Sequence, residues 1–210
     1  MTTTDPGAAP ATFVYLGSQS PRRRALLDQV RIAHKLLLPD DDEDAEALEQ
    51  RLDRETPRAY VRRVARLKAD AALRRIARRG LPPAPVLVGD TTVAVGQTIL
   101  GKPIDIDDAR VMLRRLSGRV HRVLSAVAVA TDDRIDEALS ESRVRFRVLS
   151  DAEIERYVAT DEPYGKAGAY AIQGRAAGFV ERISGSHSGI VGLPLFETLA
   201  LLRRFGVLPR

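Results

Sequence analysis

The first strand-to-helix junction of the chain is Leu16-Gly17-Ser18-Gln19-Ser20-Pro21-Arg22-Arg23-Arg24-Ala25-Leu26-Leu27. Residues 13–16 before it are apolar, as in a short buried strand, and apolar residues recur at helical spacing over 26–30. Ser20 is a suitable N-cap, and Pro21 suits the first helical position because no N–H is needed there. The stretch therefore predicts a strand, a turn of small residues and a helix whose first turn carries three arginines.

This junction has the composition of an anion-binding site. The free N–H groups at a helix N-terminus and the positive end of the helix dipole attract anions, and arginine adds forked donors that match phosphate oxygens. A helix start with solvated arginines explains the same residues. Taken alone, the junction leaves both interpretations open.

The composition is that of an ordinary globular protein, with 44% hydrophobic and 29% charged residues in 210. We expect residues 1–11 to be a disordered tail and residues 12–210 to form a single domain. Cysteine is absent and the three histidines are scattered, which argues against thiolate or histidine metal sites. The sequence contains no apolar run of membrane-spanning length and no signal-peptide pattern at its start, so we expect no membrane association and a cytoplasmic location.

The chain is basic, with 33 Lys and Arg against 28 Asp and Glu. This charge permits an anionic partner, and one alternative function is a regulatory nucleotide- or nucleic-acid-binding protein linked to cell division arrest. Nucleic-acid surfaces combine clustered basic residues with stacking aromatics. Here aromatics are only 5% of the chain and the arginines are evenly spread. We therefore expect no nucleic-acid partner.

Helices and strands are predicted to alternate along the chain, with hairpins among them. The pattern predicts an α/β or α+β fold with a mixed sheet. The predicted elements are a helix from Thr56-Pro57 to about Arg79, a strand at 86–89 ending on Asp90, a hairpin at 93–100, a helix from Asp105 or Asp107 to about Leu116, strands at 121–130 and 143–148, a helix opened by Ser150 and a closing helix from Pro194. The glycine-rich segment 164–192 between the last two helices is predicted to be a ligand loop.

Asp90 is the best candidate for a catalytic or metal-holding carboxylate, because it follows a buried strand. Mg²⁺ and Mn²⁺ prefer such oxygen ligands, and Mg²⁺ commonly takes one or two carboxylates together with substrate phosphates. We choose Glu43, from the acidic run 40–46, as the second ligand, although such runs are commonly solvated loops. Lys68 and Lys102 would then neutralise phosphate oxygens. The alternative for Asp90 is a structural cap of the following turn.

Other catalytic motifs fit less well. The chain lacks the G-x-x-x-x-G-K-[ST] pattern of a Walker nucleotide site. The stretch 185–189 differs from the G-x-S-x-G pattern because His187 stands where the pattern has serine, and no strand-to-helix elbow surrounds it, so we interpret it as a turn. His121 and His187 are more readily explained as structural residues than as bases.

Six blocks, in order over about residues 13–205, resemble those of the Maf family of nucleoside triphosphate pyrophosphatases. The blocks are Ser18-x-Ser20-Pro21-Arg22-Arg23, Val88-Gly89-Asp90-Thr91, Gly101-Lys102-Pro103, Ser117-Gly118-Arg119-Val120-His121, Lys166 to Gly174, and Val191 to Leu195. Each block is weak alone, but six together are specific.

The resemblance implies a two-lobed mixed sheet with flanking helices and an active-site cleft between the lobes. It implies metal-dependent hydrolysis of a nucleoside triphosphate between the α- and β-phosphates, in an enzyme that often dimerises. The resemblance implies that the aspartate matching Asp90 serves as the proton acceptor or as a metal-linked base. We expect Asp90 and Glu43 to bind Mg²⁺ or Mn²⁺, and the developing charge to be stabilised by Ser18, Arg22, Arg23, Lys68 and Lys102.

The resemblance also implies a substrate. The family's dTTP- and UTP-hydrolysing subclass carries the residues seen here as Arg22, Thr91 and Gln173. A glutamine amide pairs with both the donor and the acceptor on the edge of uracil or thymine. The sequence does not separate dTTP and UTP from modified pyrimidine nucleotides. Gly165 stands where an aspartate is common in the family, which leaves the role of Lys166 open.

Overall fold

The computed structural model describes residues 12–210, so the predicted disordered tail at 1–11 lies outside the described residues. The described chain forms one mixed sheet of seven strands. These are β1 (Val14–Leu16), β2 (His34–Leu36), β3 (Val86–Val95), β4 (Thr98–Leu100), β5 (Val120–Thr131), β6 (Arg134–Phe146) and β7 (Val180–Ser184). Their order is β2-β1-β3-β5-β6-β7, and β4 pairs with β3. The β2, β1 and β3 pairs are parallel, and the other pairs are antiparallel.

Helices flank this sheet, and most begin where the sequence predicts. They are α1 (Pro21–Gln29), α2 (Pro57–Arg78), α3 (Ile106–Leu116), α4 (Asp151–Val158), α5 (His187–Val191) and α6 (Leu195–Arg204). The hydroxyl of Thr56 accepts the N–H of Ala59 at the start of α2, and Ser150 forms a capping box with Glu153 on α4. Such caps pair N–H groups that a helix end leaves free. The predicted α/β (α+β) class with a mixed sheet is confirmed.

The long strand β3 contributes apolar side chains to four separate clusters. Val86 and Val88 pack with Tyr15 and with Ala72 on α2. Val93, further along the same strand, packs in another cluster with residues of α3, β6 and α4. Residues 89–92 lie between the clusters that residues 86–88 reach and those that residues 93–94 reach, so the polar middle of β3 lies at the junction of two lobes. This arrangement agrees with the expected two-lobed architecture.

Two predicted strands have the wrong bounds, and a third strand was not predicted. Asp90 lies in the middle of β3 and not at its end, because β3 continues as a partner of β5 through Ala94. β6 starts at Arg134, well before the predicted 143. The prediction missed this first part because its acidic residues pair with arginines of α2, so the stretch lacks a clear alternation of polar and apolar residues. β7 lies inside the predicted loop, since this exposed edge strand has little apolar pattern.

Among the helices of residues 12–210, none is long and apolar enough to cross a membrane.

Candidate active site

A cleft of about 480 Å³ lies at the junction of the two lobes. Its walls come from the β1–α1 turn, a 3₁₀ turn at Ala47–Glu49, the middle of β3, the end of the β3–β4 hairpin and the segment 165–173. Eight of the nine predicted site residues line it: Ser18, Arg22, Arg23, Lys68, Asp90, Thr91, Lys102 and Gln173. The ninth, Glu43, does not.

The β1–α1 turn fits closely against β3. A side chain at Gly17 would lie 2.9 Å from Val88, so glycine permits this close approach. α1 begins at Pro21 as predicted, but the side chain of Ser20 does not cap it. Instead the hydroxyl of Ser18 accepts the N–H of Ser20 at 3.2 Å. The turn thus holds Ser18 against the start of the helix.

Arg23 is a partly buried arginine that joins both sides of the cleft. Its guanidinium donates to the carbonyl of Gly192 at 2.8 Å, to the hydroxyl of Ser18 at 3.1 Å and to Thr91 Oγ1 at 3.5 Å. Burial lowers the pKa of Arg23, and the nearby carboxylate of Asp90 opposes that effect. The three contacts fix the guanidinium in one position.

Thr91 belongs to a directed hydrogen-bond chain. The hydroxyl of Ser125 donates to the carbonyl of Gly189 at 2.6 Å and lies 2.8 Å from Thr91 Oγ1. Because the Ser125 proton is used on Gly189, the Thr91 hydroxyl must donate to Ser125. The oxygen of Thr91 is therefore left to accept from Arg23.

Asp90 on β3 and Lys68 on α2 lie side by side in the cleft and define the side called its floor. Asp90 is 6% exposed, and its Oδ1 accepts the Lys68 ammonium at 2.7 Å. The same ammonium donates to Glu49 Oε1 at 2.8 Å, and Lys102 lies 2.8 Å from Glu49 Oε2. The result is an alternating chain of charges, Asp90–Lys68–Glu49–Lys102.

Glu49 was missed by the sequence analysis. It lies on the 3₁₀ turn after the acidic run, and no local pattern distinguishes it from the other acids. Burial raises the pKa of Glu49, but Lys68 and Lys102 lower it further, so the net shift is downward. The carboxylate is therefore charged at neutral pH.

The turn that carries Glu49 is held from three sides. The hydroxyl of Tyr60 donates to the Glu49 carbonyl at 3.0 Å, Arg63 donates to the Gln50 carbonyl at 2.8 Å, and Arg51 donates to the Ile99 carbonyl at 2.6 Å. Burial and the carboxylates of Asp90 and Glu49 raise the pKa of Tyr60 to about 12. Tyr60 therefore stays a neutral hydrogen-bond donor at neutral pH.

Glu43, the predicted second metal ligand, lies elsewhere. Both of its carboxylate oxygens bind the guanidinium of Arg75, and Arg78 adds a further contact. Arg75 is only 5% exposed and also donates to the carbonyl of Leu37 at 3.0 Å. Its hydrogen bonds lower the pKa of Glu43 to about 2. This placement makes Glu43 the counterion of a buried arginine and does not bring it to Asp90.

The glycine-rich segment forms the opposite wall of the cleft. Gly168 has a φ of +72° and packs so closely on Val93 that a side chain would lie 3.0 Å away. Gln173 is exposed in the cleft. Burial and the charge of Arg22 lower the pKa of Lys166, whose ammonium donates to the carbonyl of Tyr164. The predicted ligand loop thus does line a cavity.

The remaining motif residues have structural roles. His121 is buried, its Nε2 lies 2.9 Å from the hydroxyl of Tyr170, and burial lowers its pKa to about 4. It is neutral at pH 7 and does not line the cleft. In the stretch 185–189, the hydroxyl of Ser186 caps α5 by accepting the N–H of Gly189.

The model of the Maf family, described as Maf-like protein, matches residues 13–205. The chain belongs to the Maf family. Two similar Maf proteins are dTTP/UTP pyrophosphatases of Ralstonia nicotianae, 61% identical over 97% of this chain and 99% of the relative, and of Cupriavidus pinatubonensis, 63% identical over 91% and 96%. A third, from Albidiferax ferrireducens, is 59% identical over 92% of this chain and 97% of the relative, and has the same name.

Proposed function

We propose that this Maf protein is a nucleoside triphosphate pyrophosphatase, a hydrolase that acts on acid anhydrides. It cleaves dTTP and UTP between the α- and β-phosphates and releases the nucleoside monophosphate and pyrophosphate. The observation that carries the proposal is the charge chain Asp90–Lys68–Glu49–Lys102 at the floor of a cleft that Arg23 also lines. Relatives about 60% identical over nearly their whole length have the name dTTP/UTP pyrophosphatase.

Asp90 is the proposed proton acceptor. Lys68 bonds only Oδ1 of this carboxylate among the described residues, so Oδ2 is available to a water molecule. The water oxygen bonds to phosphorus, the anhydride bond between the α- and β-phosphates breaks, and Asp90 takes the proton. Pyrophosphate leaves with the bridging oxygen.

The positive side chains stabilise the phosphate charge as that bond breaks. Lys68 and Lys102 approach from the floor, and Arg22 and Arg23 approach from the start of α1, where Ser18 also lies. Phosphoryl transfer depends mainly on such positioning and electrostatic stabilisation. Because Arg23 is fixed by three hydrogen bonds, it needs little reorganisation when the charge develops.

Asp90 and Glu49 would hold the divalent cation, Mg²⁺ or Mn²⁺. No group of three or more candidate metal-binding side chains occurs within residues 12–210. Two carboxylates nevertheless fit a Mg²⁺ ion that completes its shell with substrate phosphates and water. The bound cation would neutralise phosphate charge and favour ionisation of water. We propose Glu49 in place of Glu43, because Glu49 lines the cleft together with Asp90 and Glu43 does not.

Gln173 is the proposed contact with the base. Its amide offers one donor and one acceptor, which complement a carbonyl and the neighbouring N–H of uracil or thymine. Arg22 and Thr91, which line the same cleft, accompany it as proposed specificity residues.

The test is pyrophosphate release from a nucleotide panel in Mg²⁺ or Mn²⁺, with phosphate release measured in parallel. We expect dTTP and UTP to be cleaved best, with pyrophosphate as the product and loss of activity in chelator. Phosphate as the main product would contradict the proposal. Salt-dependent binding to DNA or RNA without hydrolysis would support the alternative of a nucleic-acid-binding regulator.

A homodimer and a cytoplasmic location are further parts of the proposal. Light scattering of the purified chain and fractionation of cells that contain it test these two expectations. A monomer across the micromolar range would contradict the first, and recovery with membranes or outside the cell would contradict the second.

A further inference from the structure

Glu162 is a partly buried acid between α4 and the glycine-rich wall, and its carboxylate bonds the backbone just after Gln173. Its Oε2 accepts the N–H of Arg175 at 2.9 Å, and its Oε1 accepts the N–H of Ala176 at 3.1 Å. The hydroxyl of Tyr157 donates to the same Oε1 at 2.8 Å. The carboxylate thus ties the end of α4 to the chain that follows Gln173.

Tyr157 contacts the chain on the other side of Gln173. Its hydroxyl oxygen accepts the N–H of Ala171 at 3.3 Å while its proton goes to Glu162. The N–H of Gly174 donates to the carbonyl of Ala171 at 3.0 Å, which closes a tight turn with Ile172 and Gln173 at its centre. Tyr157 and Glu162 therefore hold both ends of the turn that presents Gln173 to the cleft.

Gly174 shows how closely the carboxylate packs on this turn. A Cβ atom at position 174 would overlap Oε2 of Glu162. Any larger residue there would displace the carboxylate or the turn. Glycine at 174 is thus explained by the contact with Glu162 and not by backbone conformation, because its φ of −106° is open to any residue.

Glu162 is charged under working conditions. Burial raises the pKa of its carboxyl, but the N–H groups of Arg175 and Ala176 and the Tyr157 hydroxyl lower it further, so the net shift is downward. All three hydrogen bonds are consequently charge-assisted, and such bonds are stronger and shorter than neutral ones. The same burial and contact raise the pKa of Tyr157, which stays a donor.

We propose that Glu162 is a positioning residue for base selection: with Tyr157 it fixes the 171–174 turn so that the Gln173 amide faces the imide edge of a pyrimidine. This inference rests on the proposed function, in which Gln173 contacts the base. Gln173 is at the exposed tip of the turn and has several rotatable bonds. Its discrimination between bases therefore depends on a fixed backbone, because an unrestrained amide would bind other base edges as well.

The first test is Glu162→Gln, which keeps the shape but places an amide N–H₂ against backbone N–H groups. We expect kcat/KM for UTP and dTTP to fall about tenfold, the range expected for losing a hydrogen bond to a charged group. We expect the loss to come from a higher KM more than from a lower kcat. The ratio of kcat/KM for UTP to that for CTP should also fall. Equal loss for every nucleotide, or an unchanged UTP to CTP ratio, would overturn the inference.

The matched control is Glu153→Gln. Glu153 also accepts a backbone N–H and a charged side chain, from Ser150 and Arg147, but neither of these partners lies in or next to the 171–174 turn. We expect this control to lower thermal stability without changing the UTP to CTP ratio. A change of the ratio in both variants would indicate a general structural effect and overturn the inference.

A double-mutant cycle with Gln173→Ala separates positioning from folding. In the Gln173→Ala background, Glu162→Gln is expected to change the UTP to CTP ratio little, since the side chain that it positions is absent. Additive effects on the ratio would overturn the inference. If Glu162→Gln does not fold, Tyr157→Phe removes the hydrogen bond between Tyr157 and Glu162 from the tyrosine side. The UTP to CTP ratio of kcat/KM is then measured for that variant.

These assays distinguish a failure of the pyrophosphatase function from a failure of the positioning role of Glu162. Absence of pyrophosphate release from dTTP and UTP by the unmodified chain contradicts the proposed function itself. Normal cleavage by the unmodified chain, combined with an unmoved ratio in the variants, contradicts only the role of Glu162.

Discussion

Two neighbouring parts of one acidic segment bind cations in opposite ways. In the run 40–46, Glu43 is engaged by Arg75 and Arg78 on the second half of α2, and its partner Arg75 is nearly buried. A few residues later, Glu49 is bound by two lysines, Lys68 and Lys102, that line the cleft. The first part fastens the segment to the fold, and the second supplies charge to the site.

The difference follows from the chemistry of the two cations. A guanidinium binds both oxygens of a carboxylate in a fixed fork, which suits a permanent structural contact. A lysine ammonium is a compact point charge on a flexible chain and can turn from a carboxylate to a phosphate oxygen. Only four of the 33 basic residues are lysines, and Lys68, Lys102 and Lys166 all line the cleft. Cation type therefore separates structural from site acids in this chain.

The largest expected effect comes from Asp90→Asn, which removes the proposed proton acceptor. Lys68 contacts both this carboxylate and Glu49. We expect turnover of UTP to fall at least ~100-fold, as for loss of a general base. The fold should be retained, as circular dichroism would show, because an amide keeps an oxygen for Lys68. Near-normal turnover would remove Asp90 from the mechanism.

A smaller effect is expected from Gln173→Glu on the opposite wall. A carboxylate lacks the N–H donor that the amide offers to a base carbonyl, so kcat/KM for UTP and dTTP should fall about tenfold, the scale of one lost hydrogen bond in a site. Other nucleotides should lose less, as steady-state kinetics on the same panel would show. An equal loss across all substrates would argue that position 173 does not contact the base.

The smallest effect is on stability, from Glu43→Gln. Since the pKa of Glu43 is lowered to about 2 from an ordinary 4.5, its contribution is complete above pH 4.5 and is lost as the pH falls toward 2. The side chain is 21% exposed, so we expect a loss of only about 1 kcal/mol in the free energy of unfolding at pH 7.

Urea unfolding at pH 7 and at pH 3 measures that loss. The difference between the variant and the unmodified chain should shrink at the lower pH. Asp42→Asn, at an exposed position of the same acidic run, is the control and should change neither value. A loss of the same size at both pH values would show that the carboxylate charge is not responsible.

The sequence predicts the parts of the fold whose signals are local. Pro21 at the first helical position, the N-cap Thr56 and the capping box at Ser150 each mark a helix start that the structure contains. The first part of β6, before residue 143, and β7 escape prediction because they make pairs with distant residues, such as Glu137 with the arginines of α2 and Glu181 with Arg145. Eight of the nine candidate site residues line one cleft, as their resemblance to a family motif led us to expect.

Glu49 and Glu162 are the site features that the sequence does not reveal. Glu49 is one acid among many in its segment, and only the folded chain places it between Lys68 and Lys102. Glu162 acts through backbone N–H groups of Arg175 and Ala176, which have no sequence signature. Both depend on contacts between residues that are far apart in the chain.

The most direct test of the central claim compares Glu49→Gln with Glu43→Gln in one assay of pyrophosphate release from UTP. We expect Glu49→Gln to lower kcat about tenfold or more, because it weakens the charge chain that holds Lys68 and the cation. Glu43→Gln should retain nearly full kcat at pH 7 and 25 °C. A larger loss of kcat in Glu43→Gln than in Glu49→Gln would contradict the assignment of the cleft carboxylates.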